Sequence, residues 1–189
     1  DTRFFRYPQS NTINQFDACL STFFLVYSNK VYPATPSLDN FYNKQEESGA
    51  IRGEYDITTG KPLFTEKNPE GVGPPLFAYA EYNLYHKEGN KKRLKEIMPV
   101  LERYFEWLDT TFKDETGLYA VPLEAIYMPN APREAARYLV DFNTQQALNA
   151  LYMSAIGDTL NDKEMSFKYK RQYFSLKTRI NTQMWNPET

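Results

Sequence analysis

Helices that are apolar on every side alternate three times with helices that carry a single apolar stripe, and this alternation restricts the fold most. Periodicity predicts six helical segments, at about 12–27, 37–46, 75–87, 91–112, 134–156 and 162–185. The first is apolar nearly all round, through Phe16, Ala18, Cys19, Leu20, Phe23, Phe24, Leu25 and Val26, and the third and the later part of the fifth behave alike. The fourth instead shows a stripe at Val100, Leu101, Tyr104, Phe105 and Leu108. The sixth shows one at Met165, Tyr169, Tyr173, Leu176, Ile180 and Met184. A helix apolar all round is surrounded, whereas a striped one covers something. Gly89-Asn90 and Gly157-Asp158 sit at the turns from inner to outer helix, and Pro99 should bend the fourth. The expected class is all-α: a two-layer ring of helical hairpins, of which residues 1–189 supply one partial domain with three pairs.

Inner helices at the end of such an arc lack neighbours. The chain is therefore expected to self-associate, or to need the remaining half of the ring as a partner. The connections are uneven as well. Turns from inner to outer helix take a few residues, whereas the returns, at about 47–74 and 114–133, are long. Long irregular connections in a compact domain tend to be functional. Both arrive where inner helices begin and backbone donors stand free, so one mouth of the ring should collect the site.

Composition removes other classes. The 24 acidic and 22 basic residues nearly balance, and no basic run exceeds Lys91 to Arg93, so no nucleic-acid footprint is expected. The most apolar run, Phe23 to Tyr27, is far too short for a membrane span. One cysteine, Cys19, and one histidine, His86, leave neither an internal disulfide nor a His/Cys metal cluster. No EF-hand spacing appears, and the reading requires no cofactor and no metal. Gly71-Val72-Gly73 lacks the lysine of a phosphate loop, and no Asp-Asp-x-x-Asp motif supports a terpene cyclase. The first residue is Asp, and no signal-peptide pattern is visible.

Four stretches carry a resemblance, in order along the chain: INQFDACLSTFF, ESGAIRGEYD, GVGPPLFAYAEYNLYHKEGNKKRLKEIMPVLERYFEWLDTTFKDETGLY and YMPNAPREAARYLVDFN. Together they resemble glycoside hydrolases of the trehalase, processing-glucosidase and mannosylglycerate-hydrolase type. The resemblance implies an (α/α)6 toroid, of which this chain would be about half. It also implies hydrolysis of an α-linked glucoside or related saccharide with inversion, and a carbohydrate as partner. It departs from the family where the chemistry should be. The family's general acid follows the Met (or Trp) of its loop, and here Pro129 follows Met128. The nearest upstream carboxyl is Glu124, while the resemblance places the catalytic base beyond the chain end. Inversion needs two carboxyls about 6.5–9.5 Å apart, so these residues alone should not hydrolyse a glycoside. A non-catalytic carbohydrate-binding or scaffold member of the same fold is the rival reading.

Each candidate has a plainer alternative. Asp17 is either a first-turn acid favoured by the helix dipole or a carboxylate bonding sugar hydroxyls. Arg52 and Glu54, two apart in an extended stretch, either pair with each other or contact sugar. Glu124 is either a solvated loop acid or the proton donor. Asn130 and Arg133 either hold their loop or bind substrate. Asp141 and Asn143 belong either to a buried network or to the site. His86 is expected at the surface. Of 15 Tyr and 13 Phe most should be core, leaving Tyr55, Tyr119 and Tyr127 in the long loops as stacking platforms.

Overall fold

In the computed structural model, which describes residues 3–6, 8–28, 31–32, 34–126 and 136–185, Asn14 decides where the first helix begins. Its extended backbone halts the preceding chain, and its Oδ1 accepts from Asp17 N at 2.8 Å while its Nδ2 donates to Asp17 Oδ2 at 2.6 Å. This reciprocal cap starts α1 (Gln15–Leu25) later than periodicity suggests. The residues before it form β1 (Thr12–Asn14), paired antiparallel with β2 (Glu54–Asp56). Ile13 and Tyr55 face inward and are buried, while their neighbours on each strand stand half-exposed. The chain is therefore mostly helical rather than wholly so. A three-residue alternation is too short to register as a strand against the strong helical pattern that follows.

Five further helices are described: α2 (Ala34–Tyr42), α3 (Phe77–Glu88), α4 (Lys91–Phe112), α5 (Val140–Leu160) and α6 (Lys163–Gln183). In α2 the buried residues are Ala34, Ser37, Leu38, Phe41 and Tyr42, one helical stripe. α3 lies between α1 and α5, α2 packs on α1, and α4 and α6 pack on the helices that precede them. Of the stripes predicted for the covering helices, Leu101, Tyr104, Phe105 and Leu108 in α4 and Met165, Tyr169 and Leu176 in α6 are buried, while Val100, Tyr173, Ile180 and Met184 are half-buried. α4 carries through Pro99, which sits on its exposed side.

Two expected boundaries move, each for a local reason. The fifth helix does not begin near 134; residues 136–139 are non-helical, held by Asp114, whose Oδ2 accepts from Tyr138 Oη at 2.6 Å and from Arg137 Nη2 at 2.9 Å. Nor does it stop at Gly157. It runs to Leu160 and turns at Asn161 with φ 60°. Gly157 is instead a contact residue, since a Cβ there would stand 2.8 Å from Ser166 N on α6. Gly89, with φ 69°, does end α3.

A buried ion pair ties three helices together. Glu81 on α3 is fully buried, and both its oxygens accept from Arg93 on α4, at 2.8 and 2.7 Å. Arg93 also donates to Asp39 of α2 at 2.9 Å, and Tyr42 Oη donates to Glu81 at 3.0 Å. Burial pushes the Glu81 carboxyl up, and Arg93 beside it pulls the other way.

Candidate functional site

Two carboxylates, one from each long return, open onto a single cleft. The first return is fixed to the start of α1: Gln15 N donates to Gly53 O at 2.7 Å, and Gly53 N donates to Gly71 O at 2.6 Å. A Cβ on Gly53 would come within 2.9 Å of Gly73 Cα, so the return can cross itself here only with glycine. Gln15 is buried and donates to Pro74 O at 2.7 Å and to Tyr104 Oη at 3.0 Å, joining the beginnings of α1 and α3 to α4. On this base β2 holds Glu54 in place, and Thr12 Oγ1 donates to it from across the ladder.

Beyond β2 the chain doubles back. Leu63 N donates to Glu54 O at 3.0 Å, and a tight turn joins Thr65 to Asn68. Asn68 is locked at both ends of its amide, donating to Val72 O at 2.9 Å and accepting from Val72 N at 3.1 Å. The second return contributes a 3₁₀ turn, Leu123–Ile126, that brings Glu124 over the first, where its Oε2 accepts from Thr65 Oγ1 at 2.5 Å. Glu54, Leu63, Thr65, Asn68, Gly71 and Glu124 line the resulting cavity of about 250 Å³. Ionised carboxylates only accept, so the lining is rich in acceptors with one apolar wall at Leu63. It suits a small ligand that donates hydroxyls and repels an anion. Among the described residues no group of three or more His, Cys, Asp or Glu could hold a metal ion.

Other candidates are placed elsewhere. Arg52 does not pair with Glu54. It grips Glu46 at 2.7 and 2.5 Å and Glu70 at 2.6 and 3.2 Å, with its guanidinium 5.4 Å from the ring centres of both Phe64 and Trp107. That bond holds the Glu46 carboxyl below its ordinary range. Glu46 wins because residues 47–50 turn back to place it beside Arg52, with Gly49 N donating to Glu46 O at 2.9 Å and Glu46 N to Ala50 O at 2.9 Å. Arg52 is thus a brace for the return rather than a free contact.

Asp17 is the capping acid already described, one residue pair away from the cleft, since Asn14 faces Glu54 in the ladder. Asp141 lies in the first turn of α5, where its Oδ1 accepts from Phe142 N at 3.0 Å, and it does not line the cleft. Asn143 is fully buried: it accepts from Tyr119 N at 2.8 Å and donates to Tyr119 O at 3.1 Å and Leu139 O at 3.0 Å. It belongs to the network, not to an open site. Asn130, Arg133, Pro129 and Tyr127 lie outside the described residues. Tyr55 and Tyr119 are core residues, 3% and 0% exposed, so neither is a stacking platform. His86 is exposed, with Tyr82 against its ring. The sequence reading does not single out Thr65 and Asn68, although a Thr-x-x-Asn pair in a long polar loop is turn-forming chemistry.

The chain matches no protein-family profile. A Borreliella burgdorferi protein, described as an uncharacterized protein, is 49% identical over 174 residues, which make up 92% of this chain and 36% of that protein. The chain thus spans about a third of the length of the curated relative it matches. A solved structure, that of an uncharacterized conserved protein from Thermus thermophilus, has the same fold with a TM-score of 0.74 at 16% identity, over 97% of this chain and 58% of that one.

Proposed function

We propose that this chain is part of an (α/α) toroid of the inverting glycoside hydrolase type, and that the cleft between Glu54 and Glu124 receives one ring of an α-linked saccharide. The observation that carries this reading is the meeting of those two carboxylates, drawn from separate long returns, over one acceptor-rich cavity of about 250 Å³. Pockets for drug-sized ligands run about 300–1,000 Å³, so this one is suited to a single sugar ring. The order of the four resembling stretches supports the same reading. So does the placing of α3 between α1 and α5 with covering helices outside. Glu54 holds a ligand hydroxyl. Glu124, exposed at the mouth, would serve as acid in its protonated form, with Oε1 carrying the proton to the glycosidic oxygen while Oε2 keeps the bond from Thr65. The base would come from the rest of a longer polypeptide.

A second reading is a carbohydrate-binding member without turnover. Pro129 stands where the resembling enzymes carry their acid, and Glu124 is exposed and already bonded by Thr65, which favours holding over proton transfer. Both readings share the cleft, and calorimetric titration of the full-length protein with α-linked disaccharides tests it. Glu54→Gln should weaken binding by about tenfold, the loss of one hydrogen bond to a charged acceptor. Unchanged affinity removes Glu54 from the site, and no affinity for any α-linked saccharide removes the reading.

A further inference from the structure

The two covering helices α4 and α6 turn different faces outward. α4 exposes Lys92, Lys95, Glu96, Arg103, Glu106 and Thr110, charges of both signs with no aromatic ring among them, and Lys92 pairs with Glu96 at 3.6 Å. That is an ordinary solvated face. α6 instead exposes Phe167 at 64% and Phe174 at 51%. Positions seven apart drift by only about 20° around a helix, so the two rings stand in one line, opposite the buried Met165, Tyr169 and Leu176. Trp185, also exposed, follows the end of the helix. Apolar residues scattered singly over a surface need no explanation, whereas rings aligned on the outside of a covering helix mark a contact.

Charge follows the aromatic line. α6 holds six of the chain's 22 basic residues and, in Glu164, one of its 24 acidic ones, although the chain as a whole is slightly acidic. Lys163, Lys170 and Lys177, again seven apart, run along one side of the rings, and Arg171 stands on the other, all four exposed. Among the described residues Lys168 is the one basic residue of α6 in an ion pair, with Glu102 at 3.5 Å. The outer face of α6 therefore offers positive charge that this chain does not neutralise.

A protein partner would need two hollows in register with the rings and an acidic rim around them. A bilayer bearing anionic lipid meets those demands with no shape of its own. Aromatic rings enter its interfacial layer, lysine stems lie alongside them, and the ammonium groups reach lipid phosphates. We propose that the outer face of α6 is a peripheral docking surface for an anionic lipid bilayer. Phe167 and Phe174 sit at headgroup level, and Lys163, Lys170, Arg171 and Lys177 contact phosphates. The helix lies on the surface; no described helix is long and apolar enough to cross a membrane. The proposal concerns where the protein works, and it stands whichever chemistry the Glu54–Glu124 cleft performs.

Sedimentation of the full-length protein with lipid vesicles tests it. Vesicles of phosphatidylcholine and phosphatidylglycerol in equal parts should bind the wild type about tenfold or more tightly than phosphatidylcholine alone, and added salt should release it. This comparison needs no variant to fold. Lys170→Gln with Arg171→Gln should weaken binding to the mixed vesicles by about 30-fold, two basic contacts at their usual worth near an anionic surface. Phe167→Ser with Phe174→Ser should weaken it by about tenfold or more. All four positions are exposed, so the unfolding midpoint should hold. A wild type that ignores the mixed vesicles or binds both kinds equally, or variants that bind as the wild type does, would overturn the proposal. Tighter binding to duplex DNA or to a polyglutamate peptide than to the mixed vesicles, lost in the same variants, would also overturn it and assign the face to an acidic macromolecule.

Discussion

In the full-length protein, Glu124→Gln should lower kcat on α-linked glycosides by about 10²–10⁴-fold, the usual contribution of general acid catalysis. Affinity for the same saccharides should stay near that of the wild type. Glutamine keeps the length and planarity of the side chain, and its amide oxygen can still accept from Thr65 Oγ1, so the turn that carries the cleft remains closed. What it lacks is a proton to give. A loss confined to kcat marks an interaction made only in the transition state, whereas a rise in KM would mark ground-state binding. Unchanged turnover would take the donor role from Glu124. A wild type that binds saccharides and turns none over would establish the binding protein instead.

Arg93→Met should destabilise the fold by about 3–5 kcal/mol, the cost of breaking a buried ion pair by removing one partner. Glu81 is 0% exposed and Arg93 supplies both of its charged hydrogen bonds, so the variant leaves a carboxyl in the core with Tyr42 as its remaining donor. The same change releases the link to Asp39, and with it one tie between α2 and α4. The double variant Glu81→Met with Arg93→Met should recover much of the loss, because apolar groups of similar volume often replace a buried pair at little cost. Urea denaturation, read as the midpoint shift at constant slope, measures both. A single variant within about 1 kcal/mol of the wild type on that measurement would contradict the dependence of the buried Glu81 carboxyl on Arg93.

The helical frame was legible because it rests on long, repeated signals. The stripes of α4 and α6 each extend over several turns, and Asn90 and Gly89 mark the turn between α3 and α4 with ordinary capping chemistry. Glu81 was legible in principle: a lone acid among Phe77, Ala78, Ala80 and Leu84 needs a partner, and Arg93 stands three residues past the next cap. Short and long-range features were not. The β1–β2 pairing joins residues 40 to 44 apart through three-residue strands, too brief for any periodicity. The partners of Arg52 depend on how residues 47–70 fold back, and spacing along an extended strand says nothing of that. Gly157 read as a stop because glycine ends helices, yet it is needed for the close approach of α6. At the site, the two returns pointed to Glu54 and Glu124 separately, and their meeting depends on the Thr65–Asn68 turn between them.

Hydrogen–deuterium exchange of the full-length protein, with and without a saturating α-linked disaccharide, tests the cleft most directly. A ring bound between Glu54 and Glu124 would rigidify both returns at once, so exchange should slow together in residues 63–72 and 123–126, with little change along the outer face of α6. Saccharide-dependent protection that falls elsewhere and spares both segments would contradict the account.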